Sequence, residues 1–469
     1  MVNDWNECKI DDLKAPVKGS IAMGPFGSRI KAENFVTAGI PIIKGGQLHG
    51  AYVLDSDFDF LTPEKAEELK SSQAYRGDLV ITHRGTIGQV SIIPHDSLYE
   101  KYVVSQSQLK VSFDTNKINP YFVNYFFRTH LGQHRLLANA SQVGVPAISK
   151  ASTSVKAIMV PCPRLEEQNR VVDYLKVLDD KIELNRKMNE TLEAMSQALF
   201  KSWFVDFDPV IDNALAAGNL IPDEFMERAE QRKTIKQNNS EENQAIRSLF
   251  PDEFEFTEEM GWIPKGWIVS DVGTEFNTVG GGTPSTKNAE FWEEGSISWT
   301  TPKDLSGNQS KILLHTERKI TELGLNKISS GLLPIDTVLM SSRAPVGYLA
   351  LAKVPVAINQ GYIALKCEKI LTPEFAIQWT DAIMDEIKQR AGGTTFAEIT
   401  KRSFRTIPVI VPDKSIVSNY SDNVKGLYNQ ITSRLENIDT LSKLRDTLLP
   451  KLMSGEIRIP DAAAMVEGV

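Results

Sequence analysis

The sequence predicts a mixed α/β fold: two α/β domains in tandem pseudo-two-fold repeat, separated by two long antiparallel coiled-coil helices. Three observations carry that expectation. Matching residues recur in the same order about 250 positions apart. Each copy is rich in short β-branched runs punctuated by Gly and Asp. Each copy then runs into a stretch with apolar residues at steps of three and four.

The repeat can be followed residue by residue. Gly24, Ser28, Ile40 and Leu48 match Gly281, Ser285, Ile297 and Leu305, and Arg84 and Gly88 in HRGTIG match Arg343 and Gly347 in SRAPVG. Gln106 matches Gln360, Pro120 and Phe122 match Pro373 and Phe375, and Ile148 and Lys150 match Ile399 and Lys401. Pro161 and Lys201 then match Pro412 and Lys451. The offset drifts only from 257–259 down to 250, which small loop insertions explain.

Taken in order, residues 1–163 form the first α/β domain, with GIPIIKGGQL, GDLVITHRGTIGQVSII and KYVVSQSQLKVSF as strands and Tyr121–Leu137 as a helix. Residues 164–208 form the first long helix, with a seam at Val171, Leu175, Leu178, Ile182, Met188, Leu192, Met195, Leu199 and Trp203. At roughly 1.5 Å per residue such a helix is a rod about 60 Å long that needs a partner. Asn185 and Asn189 fall on its seam; they either set register with that partner or turn outward as the seam moves to Met188. Residues 209–260 are an acidic connecting segment, expected to run over the surface with one or two short helices. Residues 261–412 form the second α/β domain and 413–455 the second helix, whose seam runs from Ile416 to Leu452. Pro450 should kink or end it. Residues 456–469 are a tail. Antiparallel pairing sets the copies at opposite ends of the rod, parallel pairing at one end; we take the former.

Composition narrows the function. The 469 residues, 41% hydrophobic and 24% charged, are those of a soluble globular chain of more than one domain. Neither a leader pattern nor a run of about 18 apolar residues occurs, so a cytoplasmic location without membrane attachment is expected. Three cysteines without CxxC spacing indicate neither a disulfide framework nor a thiolate zinc site. The net charge of −8 argues against a general nucleic-acid coat. Residues 164–260, however, carry 12 Lys+Arg against 22 Asp+Glu, while residues 1–163 carry 17 against 15. The two large blocks are therefore free to present local basic surfaces.

No catalytic motif is complete in the sequence. GGGTPSTK lacks the glycine a phosphate loop places before its lysine, so a tight loop is the better reading. INPYF lacks the partners of a methyltransferase motif. His130 and His134 have Leu131 where a metalloprotease needs glutamate.

Several long stretches carry a family resemblance. PRLEEQNRVVDYLKVLDDKIELNRKMNETLEAMSQALFKSWFVDFDPV resembles the central conserved region of the specificity (S) subunit of type I restriction–modification enzymes. GGGTPSTKNAEFWEEGSISWTTPKDL and MGPFGSRIKAENFVTAGIPIIKGGQL resemble the openings of its target-recognition domains, and LLPKLMSGEIRI its C-terminal end. LFPDEFEF and GWIPKGW resemble the lead into the second domain. The resemblance implies two target-recognition domains, each reading one half of a split asymmetric double-stranded DNA site. It implies that the helices fix the gap and dock two methyltransferase (M) subunits, which motor-nuclease (R) subunits join. It further implies no catalysis and no bound cofactor here, with S-adenosylmethionine, ATP and Mg2+ in the partner subunits. A DNA-recognition subunit of a bipartite-site, type IIB-like enzyme is the alternative within this class. An enzyme with a cryptic site and a helical-rod interaction protein are the alternatives outside it.

Candidate DNA contacts, by residue type and matched position, are Lys44, Arg84, Gln106 and Lys150 in the first domain. Lys303, Arg343, Gln360 and Lys401 are their counterparts in the second, with Arg402 beside Lys401. Arg84 and Arg343 equally suit bracing a strand turn. The loops Gly24–Ser28 and Gly281–Ser285 suit close approach to a backbone. Base readers are expected where the copies differ, as in Ser71–Tyr75, Ser141–Val145 and Ser306–Leu314.

Overall fold

The structure, a computed structural model, describes residues 5–141, 144–234, 241–307, 310–393 and 397–459, the side chains of Ser28 and 241–243 excepted. The chain divides into two compact units, Met1–Glu183 with Asp439–Val469, and Leu184–Ile438. The division falls inside both long helices, Leu165–Phe204 and Lys414–Ser454.

In the first unit Ile21–Met23, Gln108–Val111, Leu79–Thr82 and Val90–Ile92 form a four-stranded antiparallel sheet in that order. A second sheet orders Phe35–Val36, Asp59–Leu61, Ile40–Ile43, Lys101–Val104 and Gln73–Tyr75. Its one parallel pairing sets Ile42 opposite Val103. The second unit repeats the plan. Asn277–Gly280, Tyr362–Lys366, Val338–Ser341 and Leu349–Ala352 lie side by side with the same directions, extended by Ile312–Leu313. Arg318–Ile320, Ile297–Thr300 and Ala357–Ile358 form the other sheet, again with a parallel pair, Trp299 opposite Ala357. The central strands Leu79–Thr82 and Val338–Ser341 are buried along their whole length, which is why they read as unbroken apolar runs.

The helices meet each unit's core through their apolar faces. In the first unit Val171, Val172, Leu175 and Leu178 share a cluster with Phe122, Phe126, Leu448 and Leu452. There Asp179 is buried, taking a hydrogen bond from Tyr125 Oη (2.8 Å) and pairing with Arg445 at 2.8 Å and Arg128 at 3.5 Å. In the second unit Asn185 Nδ2 donates to Asn437 Oδ1 at 3.0 Å, while Phe200 and Trp203 pack on Tyr420 at 6.0 and 5.9 Å. A low number facing a high one at both places makes the pairing antiparallel. Asn185 and Asn189 are both buried, so the asparagines do take the seam. Met188 and Met195 are exposed instead, and Ser196, Phe200 and Phe204 occupy the inner face. The inner positions step by four and three without a break, through Val171, Leu175, Leu178, Ile182, Asn185, Asn189, Leu192, Ser196, Leu199 and Trp203, so the seven-residue stripe holds and takes in polar residues at three of its places.

Three other expectations change. The Tyr121–Leu137 helix is two helices, Pro120–Phe127 and His130–Leu137, because Thr129 caps the second by accepting from Gly132 N at 3.0 Å. The second long helix runs through Pro450 to Ser454. Buried Leu448, Leu449, Leu452 and Met453 hold that last turn in the core. Proline there removes one bond only, close to the helix end. The connecting segment is no surface excursion: Asp208–Ala217, Met226–Thr234 and Glu241–Arg247 are helices, and Val210, Ile211, Ala214 and Phe250 are buried in the second unit. Two of the carboxylates at its start are matched by its own arginines. Asp208 and Asp212, four apart, face Arg228 and Arg232, four apart; Arg228 bonds both Asp208 oxygens at 2.7 Å, and Arg232 Nε donates to Asp212 at 2.9 Å. Burial pushes the Asp208 carboxyl up, but Arg228, Ser202 and Arg232 outweigh it and hold its pKa below the ordinary value.

Candidate nucleic-acid interface

In each unit the chain crosses from one sheet to the other through a short loop, Ser105–Ser107 or Asn359–Gly361. Two more segments are stitched to it by backbone hydrogen bonds. His83 N donates to Ser107 O at 2.9 Å, and Ile148 N donates to His83 O at 2.8 Å. Ser342 N donates to Gly361 O at 2.8 Å, and Ile399 N donates to Ser342 O at 3.0 Å. The same three-segment junction is thus built twice, 250-odd residues apart. It brings Arg84, Gln106 and Lys150 to one surface of the first unit, all exposed, and Arg343, Gln360, Lys401 and Arg402 to one surface of the second. Lys150 stands at φ +45° just before the helix Ala151–Lys156, and Lys401 opens the helix Lys401–Arg405 behind Thr400, whose hydroxyl accepts from Ser403 N.

The matched arginines differ in their surroundings. Arg84 forms an isolated bridge with Ala147, and its guanidinium has no ion pair among the described residues. Arg343 forms the same bridge with Glu398, and its guanidinium lies 3.8 Å from the Glu398 carboxylate. Behind Arg84, buried His83 sets Nε2 3.1 Å from Gln106 O. Burial lowers its pKa, and the neighbouring Arg84 adds to that against the hydrogen bond to Gln106. Ser342 occupies the matching place and carries no titratable group. The change from Gly85-Thr86-Ile87 to Ala344-Pro345-Val346 leaves the turn intact: Gly85 and Ala344 both stand at positive φ, +87° and +55°.

Lys44 and Lys303 follow strands that bond the same crossing loops, Ser105 N donating to Ile43 O at 2.9 Å and Asn359 N to Thr300 O at 3.0 Å. Lys44 precedes the 3-10 turn Gly45–Gln47 and Lys303 lies within the 3-10 turn Pro302–Leu305; each is held by a carboxylate, Lys44 by Asp59 and Lys303 by Glu317 at 2.8 Å. The glycine loops approach a backbone closely, but the protein's own. A Cβ on Gly24 would stand 1.9 Å from Ser105 O, and one on Gly281 1.9 Å from Ile358 O. These glycines let the loop lie against the crossing segment that carries Gln106 or Gln360. Among the segments expected to read bases, Ser72 is buried at the end of the 3-10 turn Lys70–Ser72, Gln73 and Ala74 on the strand that follows it, and Ile312 and Leu313 on another strand. Residues 142–143 and 308–309, in the other parts of those segments, lie outside the described residues.

A stack that sequence reasoning passed over lies on the other sheet of the second unit. Arg318 sits on a strand with its guanidinium carbon 3.6 Å from the Trp292 ring centre and 5.6 Å from that of Trp299. The two indoles meet edge to face at 5.0 Å. Trp292 Nε1 donates to Ser285 O and Trp299 Nε1 to Gly282 O, both at 3.1 Å, and Thr283 Oγ1 donates to Gln360 Oε1 at 2.6 Å. The glycine loop therefore ties the stack to the junction. Trp292 matches Phe35 at the offset of 257, and a tryptophan in place of an exposed phenylalanine was the available signal.

A family model described as the type I restriction modification DNA specificity domain matches residues 4–194 and again 264–450. The chain belongs to that family. Its two specificity domains are the two units' α/β portions with the helix segments that follow them. The chain is 27% identical to the type I restriction enzyme HindI specificity subunit of Haemophilus influenzae, across 97% of this chain and 100% of that protein. It is 36% identical to the MjaIX specificity subunit of Methanocaldococcus jannaschii over 34% of this chain and 38% of that protein. The S subunit of a type I restriction-modification system from M. genitalium shares the fold, with a TM-score of 0.55 at 15% identity over 96% of this chain and 97% of that one. In this specificity-domain chain no described helix is long and apolar enough to cross a membrane. No group of three or more His, Cys, Asp or Glu among the described residues is placed to hold a metal ion.

Proposed function

We propose that this chain is the DNA-reading specificity subunit of a type I restriction–modification complex, each domain binding one half of a split, asymmetric duplex site. The observation that carries this is the duplicated three-segment junction: one chain presents two similar cationic surfaces that differ in their surrounding side chains. Arg84, Lys150, Lys401 and Arg402 suit phosphate anchoring, which fixes register without reading sequence, and Gln106 and Gln360 stand beside them within reach of a groove. Lys44 and Lys303 serve as weaker, carboxylate-held contacts or as braces. The two long helices set the spacing of the half-sites and dock two methyltransferase subunits; motor-nuclease subunits complete the assembly. Methyl transfer and cleavage, with S-adenosylmethionine, ATP and Mg2+, belong to those partners, inside the cell. Family membership and relatives named as specificity subunits support this division of labour.

Methylation-aware sequencing of the host genome with and without this gene tests the proposal. A split adenine-methylation motif should vanish on deletion and return on complementation. Its persistence would refute the assignment, and methyl transfer by the isolated chain with S-adenosylmethionine and DNA would refute the division of labour.

A further inference from the structure

The matched junction residues, Arg84 with Arg343, Gln106 with Gln360 and Lys150 with Lys401, are of one type in both domains, so they do not tell one half-site from the other. Discrimination must come from exposed positions where the same framework carries different chemistry. The strand register singles one out. In the second unit Trp299 stands opposite Arg318, and in the first Ile42 stands opposite Asp59, on equivalent strands of equivalent sheets. Asp59 is neutralised by Lys44. Arg318 is exposed, and no carboxylate among the described residues pairs with it.

We propose that Arg318 is a base-reading residue of the second domain, presenting its guanidinium to the O6 and N7 acceptors of a guanine in the half-site bound there. The inference rests on the proposed function and deepens it. An indole against one face of the guanidinium, 3.6 Å from its carbon, restricts the long side chain without consuming its N–H donors. A fork fixed in one plane is what two parallel acceptors on a base edge require. Trp292 is fixed in turn by its bond to Ser285 O and by Trp299, so Trp292 is a positioning residue for Arg318. The glycine loop joins this fork to Gln360, whose junction carries Lys401 and Arg402. Phosphate anchors and a base reader thereby share one rigid support within the unit. The first domain, with a paired Asp59 at this place, cannot make the same contact.

The test selects bound duplexes from a randomised pool with the full-length chain and its Arg318→Ala and Arg318→Lys variants. Wild type should recover a two-part motif with a guanine that both variants lose. The loss should be roughly 10- to 100-fold at that one position, the scale of a bidentate base contact, with the other half unchanged. Trp292→Ala should weaken the same preference without moving it to another position. Uniform weakening across all sequences, restored by Arg318→Lys, would make Arg318 a phosphate contact and overturn the proposal, as would an unchanged motif. Failure of wild type to select any two-part motif would refute the subunit assignment itself, together with the inference built on it.

Discussion

The two recognition units share strand order and junction bonds, yet a matched pair of arginines separates them. Arg84 has Ala147 across its bridge and Arg343 has Glu398. One carboxylate separates a cation with no ion pair among the described residues from one half-engaged by its own domain. The lesson is that the repeat preserves the placement of charge through the backbone and leaves its availability to single side chains. Similarity between copies therefore reports on scaffold, and the departures report on what each copy recognises.

The comparison can be broken hardest at the helix clamps. Asp179 in the first unit holds Arg445, Arg128 and Tyr125; the second unit uses Glu193, with Lys311 at 2.9 Å, and Gln378 between Glu193 and Tyr428. Asp179→Ala removes the carboxylate shared by Tyr125 Oη and the half-buried Arg128 and Arg445, leaving Arg445 with Asp446, and should destabilise the first unit by about 3 kcal/mol. Hydrogen exchange should then rise in 165–183 and 439–453, with Tyr420–Ile431 still protected. Equal loss of protection in both regions would show that the units do not respond separately.

Next come the glycines. Gly24→Ala and Gly281→Ala each force a Cβ into a carbonyl, at a cost of about 1–3 kcal/mol. Each should impair its own half-site in a binding assay on duplexes bearing either half alone. Impairment of both halves by either variant would contradict modular reading. A smaller effect is expected from the arginines: Arg84→Ala should reduce the slope of log K against log salt by about 1, the signature of one lost phosphate contact. Arg343→Ala should reduce it less, because Glu398 already engages that guanidinium, and Glu398→Ala should strengthen binding at the second half.

The smallest contrast is in pH. Because burial lowers the His83 pKa, folding favours the neutral ring, and the unfolded chain binds the proton more readily. The stability this contributes is full above the ordinary value near 6.5 and is lost as pH falls through the folded value. The first unit should therefore weaken on mild acidification in a way the second, with Ser342, does not. His83→Ser should remove the difference, and an unchanged pH profile for that variant would assign the sensitivity elsewhere.

Much of this architecture was legible because it rests on spacing. The repeat, the strands and both long helices follow from periodicity, and the antiparallel pairing was an expectation the Asn185–Asn437 and Trp203–Tyr420 contacts bear out. What spacing misses is a side chain's partner. Nothing in the order of residues says that Asp59 neutralises Lys44 or that Glu398 meets Arg343. Ser72 and Gln73 look polar enough to face DNA, but Ser72 Oγ bonds Met23 O and Gln73 Nε2 bonds Ala66 O, so both are buried at no loss. Arg318 was missed because its stack joins residues 26 apart on two segments.

The aspartate–arginine ladder of the connecting segment bears on how such genes can be recombined. Asp208, Asp212, Arg228 and Arg232 lie ahead of the second specificity domain in sequence but fold with it. A hybrid spliced at residue 260 would leave Val210, Ile211 and Phe250 facing a foreign surface, whereas crossovers at Leu184 and Ile438 would carry the core of the second unit whole.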